Sequence, residues 1–276
     1  MSIDITGTGT PALVFVPGGP GLPLALYREL LDELRQSYTV VTYDMKGVWP
    51  EPPEPFPHTV DEAAEELEQA VADAQGELRG TPLVVVGHSF GSVIALEALC
   101  RGLPVDAAVL LSGFSSGEMI RRDIAERVRA LPEAFHEAYR ALRPGDAEGL
   151  MNLLMEYWFP RHFVRSGWPA SYSEALSKMN GAYSAHFLGP NLLETSGEIM
   201  NWDRSGDLSS VSLPVKLIVG EHDYFPLRDV KAMAAEFPNA SLDVIPEASH
   251  SPWLETPGEF YRRLSSFLAA QTTAAN

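Results

Sequence analysis

The segment around Ser89 constrains the fold more than any other part of the sequence. An apolar run, Leu83–Val86, is followed by the sequence GHSFG at residues 87–91 and then by a helical pattern. The pattern G-x-S-x-G between a strand and a helix forces a tight turn, which lifts the serine Oγ clear of the backbone. The two glycines keep Cβ atoms out of the space where the strand and the helix approach each other. The sequence therefore predicts a strand, a strained turn with a nucleophilic serine, and a helix.

Short apolar runs separated by helical patterns extend through much of the chain. The runs are rich in Val, Leu and Ile with little alternation, which is typical of parallel strands covered on both faces. Such alternation of strands and helices predicts an α/β fold, in which helices cover both faces of a mostly parallel sheet. Six strands are predicted: Leu13–Val16, Tyr38–Tyr43, Leu83–Val86, Ala107–Leu111, Val215–Val219 and Leu242–Ile245.

The alternation stops between residues 114 and 206, where no clear strand pattern is present. Three of the five Trp and five of the eight Met residues lie in this segment. We interpret it as a helical cap over the carboxyl edge of the sheet. The expected division is a core of residues 1–113 and 207–276 and a cap of residues 114–206. Most of these bulky cap side chains are expected to pack against one another.

The composition excludes several classes of protein. The 276 residues are 45% hydrophobic and 21% charged, which is typical of a globular protein rather than a disordered one. A formal net charge of −17 disfavours binding to nucleic acids and to anionic membrane surfaces. The single cysteine, Cys100, cannot form an internal disulfide, and the N-terminal sequence lacks the regions of a signal peptide. We therefore expect a cytoplasmic protein with a small-molecule substrate and no nucleic-acid or membrane partner; the oligomeric state is left open.

A serine in this kind of turn predicts two partners, which follow in the chain in the order acid, then histidine. Asp223 follows the fifth predicted strand, and His250 follows the last one. The Asp223 carboxylate would hold the His250 imidazole in one tautomer, and His250 would take the proton of Ser89. Glu221 is an alternative acid, but it lies nearer to the end of its strand. The predicted catalytic triad is therefore Ser89, Asp223 and His250.

The same chemistry needs two backbone N–H groups that point at one substrate oxygen. Phe90, the residue after the serine, is expected to supply one. The other is expected from the glycine pair after the first predicted strand, with Gly19 as the candidate donor, because glycines let the backbone approach a ligand closely. The His and Cys residues show no metal-ligand spacing, and the sequence GGPG at 18–21 matches no nucleotide-binding motif. We therefore predict neither a metal nor an organic cofactor.

These motifs resemble those of the α/β-hydrolase superfamily, and in particular those of the proline iminopeptidase (prolyl aminopeptidase) family. The resemblance extends over nearly the whole chain and implies the α/β-hydrolase fold. It also implies a cis peptide bond between Gly19 and Pro20. The segments that resemble the family are Pro17–Gly21, Tyr43–Gly47, Gly87–Gly91, Gly189–Asn191, Trp202–Asp203, Gly220–Asp223 and Ala248–His250.

The chain departs from this family where substrates are selected. In the family, one glutamate follows the G-P-N sequence, another follows the triad aspartate, and both bind the free α-ammonium of the substrate. The corresponding residues here are Leu192 and Tyr224, which leave an ammonium without a counter-charge. Glu194 or Glu198 is the alternative source of a carboxylate. The predicted substrate-binding residues are Gly18, Trp158, Tyr183, Phe187, Leu192, Trp202 and Tyr224.

The sequence therefore predicts a serine hydrolase that forms an acyl-enzyme on an ester, lactone, thioester or amide of a small and largely apolar substrate. Two alternatives remain open. One is an aminopeptidase or amidase of the proline iminopeptidase type, which would use another cap carboxylate. The other is an acyl transferase or cyclase, because a fold alone does not fix the reaction.

Overall fold

One seven-stranded sheet forms the centre of the molecule. The computed structural model describes residues 2–51, 53–143 and 145–271. The strands are β1 (Ile3–Thr6), β2 (Ala12–Val16), β3 (Thr39–Tyr43), β4 (Leu83–His88), β5 (Ala107–Leu111), β6 (Val215–Gly220) and β7 (Ala240–Ile245). Their spatial order is β1-β3-β2-β4-β5-β6-β7, and all neighbours are parallel except β1, which pairs antiparallel with β3. The carboxyl ends of β2 and β4–β7 therefore meet at one edge of the sheet.

Helices cover both faces of this sheet, as the sequence predicts. They are α1 (Arg28–Leu34), α2 (Val60–Glu77), α3 (Phe90–Cys100), α4 (Gly117–Arg129), α5 (Glu133–Ala141), α6 (Ala147–Leu153), α7 (Phe159–His162), α8 (Ala170–Ser177), α9 (Gly181–Leu188), α10 (Leu227–Glu236), α11 (Pro252–Glu255) and α12 (Pro257–Gln271). Side chains of α2, α3 and α10 pack with Val14 on one face, and those of α1 and α12 pack with Phe15 on the other. None of the helices in the described ranges is long and apolar enough to cross a membrane.

The segment between β5 and β6 is helical and contains α4–α9. In its described part, residues 114–143 and 145–206, the one β contact is an isolated antiparallel bridge between Ser116 and Asp203. The Gly117 N–H also donates to the Trp202 carbonyl at 2.9 Å, so the two ends of the segment lie side by side. The predicted helical insertion is confirmed, whereas the domain limits at 113/114 and 206/207 stay a prediction.

Two details differ from the sequence analysis. A seventh strand, β1, lies at the edge of the sheet, where its partly exposed residues gave no buried apolar run. The cis peptide bonds of the described residues precede Pro11, Pro50 and Pro55. The bond between Gly19 and Pro20 is not among them, so the prediction of a cis bond there, which followed from the resemblance, is wrong.

Candidate active site

Ser89 lies in the turn between β4 and α3, where the backbone is strained. Its φ and ψ angles are 54° and −118°, a conformation that non-glycine residues rarely adopt. The flanking glycines make the turn possible: a Cβ on Gly91 would lie 2.1 Å from the Val16 carbonyl oxygen, and a Cβ on Gly87 would lie 2.4 Å from the Gly91 carbonyl oxygen. The turn therefore presents the Ser89 side chain at the carboxyl edge of the sheet and at the N-terminus of α3.

His250 and Asp223 meet in the loops that follow β7 and β6. The Nδ1 atom of His250 lies 3.1 Å from each carboxylate oxygen of Asp223. Both side chains are fully buried, and Asp223 Oδ1 also accepts the N–H of Phe225 at 3.2 Å. A carboxylate fixed in this way keeps the imidazole proton on Nδ1, so the lone pair of the ring is on Nε2. The His250 ring can therefore accept a proton at Nε2.

Glu221, the alternative acid, is engaged elsewhere. Its exposed side chain accepts the N–H of Glu247 through Oε2 at 3.1 Å. Glu221, His222 and Glu247 are the one group in the described ranges whose possible metal-ligating atoms all lie within 4.8 Å of one another. Exposed acidic groups often cluster in this way without a metal, and we assign none to this surface.

The Tyr224 hydroxyl lies between Ser89 and His250. Its oxygen is 3.4 Å from Ser89 Oγ and 3.2 Å from His250 Nε2. Burial, together with the negative charge of Asp223, raises the pKa of the Tyr224 phenol, which therefore stays protonated. The sequence predicts Tyr224 as a substrate contact but does not predict its hydrogen bonds to the serine and the histidine.

The loop after β2 brings two glycines close to Ser89. Gly19 and Phe90 line the same cavity as Ser89, and neither of their N–H groups donates to a protein atom in the part of the chain that the structure describes. The two predicted oxyanion donors are therefore free to bind a substrate oxygen. Gly18 differs, because its N–H donates to the Tyr27 hydroxyl at 2.7 Å and the residue does not line the cavity.

A buried chain of hydrogen bonds joins this loop to the histidine loop. The Tyr27 hydroxyl lies 2.7 Å from His88 Nδ1, and His88 Nε2 lies 2.9 Å from the carbonyl oxygen of His250. Because a carbonyl can only accept, His88 has its proton on Nε2 and accepts from Tyr27 at Nδ1. Burial, with the nearby His250 ring, lowers the pKa of His88 well below its usual range, so this ring stays neutral. No motif in the sequence indicated a role for Tyr27.

A cavity of about 700 Å³ lies over Ser89, between the carboxyl edge of the sheet and the cap. Ser89, Tyr224 and His250 contact it from the core, and mostly apolar side chains of the cap form the rest of its wall. A cavity of this size and character is typical of a small-molecule site. The apolar cap side chains of the wall include Ile120, Leu150, Met151, Leu154, Leu188 and Leu192.

Only Leu192 and Tyr224 of the seven predicted substrate-binding residues line this cavity. The four cap aromatics of that set lie behind the wall instead. The Trp202 indole N–H donates to Glu97 at 2.8 Å, and the Tyr183 ring stacks on Phe56. Trp158 and Phe187 are fully buried in the same cluster as the core helices. With Gly18, five of the seven residues thus contact protein rather than the cavity.

Aromatic residues of the cap do line the cavity, but they are not the ones that the sequence predicts. The sequence does not distinguish them from the buried set, since both sets are aromatic residues of the same largely helical segment. Contact with the cavity was therefore not predictable residue by residue. The aromatic cap residues that line it are Phe114, Tyr139, Phe159, Phe163, Trp168 and Tyr172.

The charged groups of the cavity wall are exposed. Arg143, Asp146 and Glu194 line the cavity and face solvent, and Glu194 accepts a hydrogen bond from the Tyr139 hydroxyl. Glu198 does not line the cavity. Of the two carboxylates that could replace the missing glutamates, only Glu194 is therefore at the site.

Comparison with known proteins decides the family. Residues 13–263 match the sequence profile of the alpha/beta hydrolase family. The chain belongs to this family. It is 26% identical over 270 residues to the proline iminopeptidase of Thermoplasma volcanium. This match covers 93% of this chain and 88% of that protein. It is also 25% identical over 275 residues to the pimeloyl-[acyl-carrier protein] methyl ester esterase of Chromobacterium violaceum. That match covers 98% of this chain and 99% of the esterase.

Solved structures of alpha/beta hydrolases have the same fold. The crystal structure of a proline iminopeptidase of Mycobacterium smegmatis superposes with a TM-score of 0.85 at 22% identity, over 99% of this chain and 96% of that chain. At this level of identity the similarity supports the fold alone. The predicted fold class, the resemblance to the proline iminopeptidases and the prediction of a hydrolase are confirmed. Because the relatives include a peptidase and an ester hydrolase, membership of the family does not select a substrate.

Proposed function

We propose that this alpha/beta hydrolase is a serine hydrolase that forms an acyl-enzyme on Ser89, with His250 as general base and Asp223 as its partner. The proposed substrate is an ester, lactone, thioester or amide of a small and largely apolar molecule. The observation that supports this most is the apolar cavity, whose wall includes both Ser89 and His250. In this proposal the core, residues 1–113 and 207–276, supplies the reacting groups, and the cap, residues 114–206, supplies most of the substrate contacts.

In the proposed reaction, Ser89 Oγ attacks the carbonyl carbon of the substrate while His250 Nε2 takes the serine proton. The N–H groups of Gly19 and Phe90 stabilise the negative charge that develops on the carbonyl oxygen. His250 then protonates the leaving group, while the Asp223 carboxylate stabilises the imidazolium. Water attacks the acyl-enzyme in the second half of the reaction, with His250 again as the base, and releases the acid.

The cavity wall favours a substrate without a free ammonium. Burying apolar substrate surface against it contributes about 25 cal/mol per Å². An ammonium beside Leu192 and Tyr224 would lose its hydration and find no carboxylate at those two positions. The proposed preference is therefore for neutral substrates over amino-terminal amines.

Matched substrates test this proposal. The values of kcat/KM are compared for p-nitrophenyl esters, for an aminoacyl p-nitroanilide and for the N-acetylated form of the same anilide. We expect turnover of the esters, and the acetylated anilide should be at least as good a substrate as the free amine. Ser89→Ala should lower kcat by about 10⁴-fold or more. Labelling of a different serine by a fluorophosphonate, with Ser89 untouched, would contradict the assignment.

An aminopeptidase of the proline iminopeptidase type is the second candidate. Glu194 favours it, because this carboxylate lines the cavity. Glu194→Gln and Glu198→Gln form a matched pair, since Glu198 lies four residues further on and does not line the cavity. A preference for the free amine of about tenfold or more, abolished by the first substitution but not by the second, would establish this alternative.

We also propose that the protein acts in the cytoplasm. Its single cysteine, Cys100, is a free thiol, as is usual in a reducing compartment. Burial raises the pKa of this thiol to about 11, so Cys100 is protonated and unreactive at neutral pH. Fractionation of cells that express the protein, followed by immunoblotting, tests this location.

A further inference from the structure

The Tyr224 hydroxyl occupies the space between the proposed nucleophile and its general base. Its oxygen lies 3.4 Å from Ser89 Oγ and 3.2 Å from His250 Nε2. Among the described residues, Tyr224 is the one hydrogen-bond partner of each of these two atoms. Acylation requires the serine proton to reach Nε2. The phenol therefore competes with Ser89 for the base.

The hydrogen-bond acceptors of this cluster determine which atoms carry its protons. Asp223 accepts from His250 Nδ1, which leaves Nε2 as an acceptor. The buried phenol is protonated and donates to Nε2, and the Ser89 hydroxyl donates to the phenol oxygen. In the free protein the lone pair of the base is thus bound by Tyr224 and not by Ser89.

The phenol oxygen lies in the space that a leaving group needs. After Ser89 Oγ bonds to a carbonyl carbon, the leaving atom is attached to that carbon and must reach His250 Nε2 to be protonated. An atom within hydrogen-bond distance of both Oγ and Nε2 occupies the same space. The water that attacks the acyl-enzyme must approach Nε2 through this space too.

We propose that Tyr224 is a specificity-determining residue, which holds the leaving-group position until a substrate that fills the apolar cavity displaces its hydroxyl. The inference rests on the serine hydrolase function proposed above. Tyr224 lines the cavity, so a bound substrate contacts the phenol directly. Its ring is supported by the rings of His250 and Phe225, whose centroids lie 4.5 and 4.4 Å away. Displacement therefore needs binding energy, which a long apolar substrate obtains from the cavity wall and a short one does not.

Inactivation by two alkyl fluorophosphonates tests this inference. With either probe, Ser89 Oγ forms a bond to phosphorus, the serine proton passes to His250, and fluoride leaves. A methyl probe fills little of the cavity, whereas a dodecyl probe contacts much of its apolar wall. Second-order rate constants are measured for the wild type, Tyr224→Phe and Tyr261→Phe. Each rate is normalised to the fraction of protein labelled at completion, so that unfolded protein does not enter the comparison.

Tyr261→Phe is the matched control, because Tyr261 packs on Phe260 in α12 and does not line the cavity. We expect Tyr224→Phe to raise the rate with the methyl probe by about tenfold and the rate with the dodecyl probe by less than about threefold. The control should leave both rates unchanged.

Slower labelling of Tyr224→Phe by both probes would overturn the inference, because the phenol would then be needed to pass the serine proton on. Equal changes with the two probes, or no change with either, would also overturn it. Failure of both probes to label Ser89 in the wild type would overturn the proposed function, and this inference with it.

Discussion

Asp223 and Glu221 follow the same strand two residues apart, and their surroundings separate their roles. Asp223 is fully buried against His250, whereas Glu221 is exposed and binds the backbone of Glu247. A carboxylate that touches the imidazole in a buried site stabilises its charged form strongly, while one in water does so weakly. The acid role in the proposed mechanism therefore belongs to Asp223.

Asp223→Asn and Glu221→Gln test this choice as a matched pair. The asparagine amide keeps the shape of the carboxylate but favours the wrong tautomer of His250, so kcat for a p-nitrophenyl ester should fall by about 10⁴-fold. Glu221→Gln should leave kcat almost unchanged. Thermal unfolding of each variant shows whether the fold is intact. Near-normal turnover by Asp223→Asn, with a large loss in Glu221→Gln, would move the acid role to Glu221.

At this same scale, the sequence predicts residues that belong to a local pattern and misses those that act through distant contacts. Ser89 is recognised from its own turn, and the chain order then indicates Asp223 and His250. The hydrogen bond of Tyr27 joins it to His88, 61 positions further along the chain, and no local pattern reports such a pairing. Tyr224 follows Asp223 directly, so the sequence locates it at the site, but its two hydrogen bonds depend on how three loops pack together.

At the scale of whole elements, the buried strands and the helical nature of the cap were predictable, whereas the orientation of the cap helices was not. A buried parallel strand such as β4 is a continuous apolar run, which is easily recognised. The edge strand β1 is short and partly exposed, so it lacks that signal. The cap helices pack on the core as well as on each other, and their apolar residues therefore do not indicate which face meets the cavity.

One contact between a cap helix and a core helix depends on two carboxylates. Asp123 of α4 is fully buried, and Arg122 bridges it to Asp229 of α10 with distances of 3.2 and 2.7 Å. Burial, together with the charge of Asp229, raises the pKa of Asp123 to about 7. The folded protein therefore binds a proton at Asp123 over a pH range in which the unfolded chain has released it.

Asp123→Asn should make this contact insensitive to pH. Because the pKa of the folded state lies above the unfolded value of about 4, the contribution of Asp123 to stability is present below pH 4 and is lost as the pH rises through about 7. The neutral asparagine avoids that loss. We expect the free energy of unfolding to rise by about 1–3 kcal/mol at pH 8 and to change much less at pH 4. Urea unfolding at the two pH values measures both quantities.

The control for this prediction is Glu118→Gln in the same helix. Glu118 is exposed and forms an ion pair with Arg121 at 2.6 Å, so its removal should cost less than about 1 kcal/mol at either pH. A loss of stability at pH 8 in Asp123→Asn would show instead that the ionised carboxylate supports the contact through Arg122.

At the scale of the whole molecule, the cavity exists because the cap is fixed to the loops of the core. Asn180, before α9, donates its backbone N–H to the Gly21 carbonyl at 3.0 Å. Its side-chain amide donates to the carbonyls of Gly47 and Pro53 at 2.9 and 2.7 Å. One residue thus ties the cap to the loop after β2 and to the loop after β3. These contacts hold the start of α9, a helix that contributes to the cavity wall, against the core.

Two alanines of α9 form a matched pair that tests whether the acyl chain of a substrate binds in the cavity. Both alanines are exposed, but Ala185 lines the cavity and Ala182 does not. Ala185→Trp should lower kcat/KM for p-nitrophenyl decanoate by about tenfold or more and change the value for p-nitrophenyl acetate by less than about threefold. Ala182→Trp should leave both values unchanged. Equal losses on the two esters in Ala185→Trp would indicate a distorted cap, and equal effects of the two tryptophans would contradict binding of the acyl chain in the cavity. A loss confined to the long ester requires that the chain occupies the space beside α9, since the acetyl group is too short to meet the new side chain.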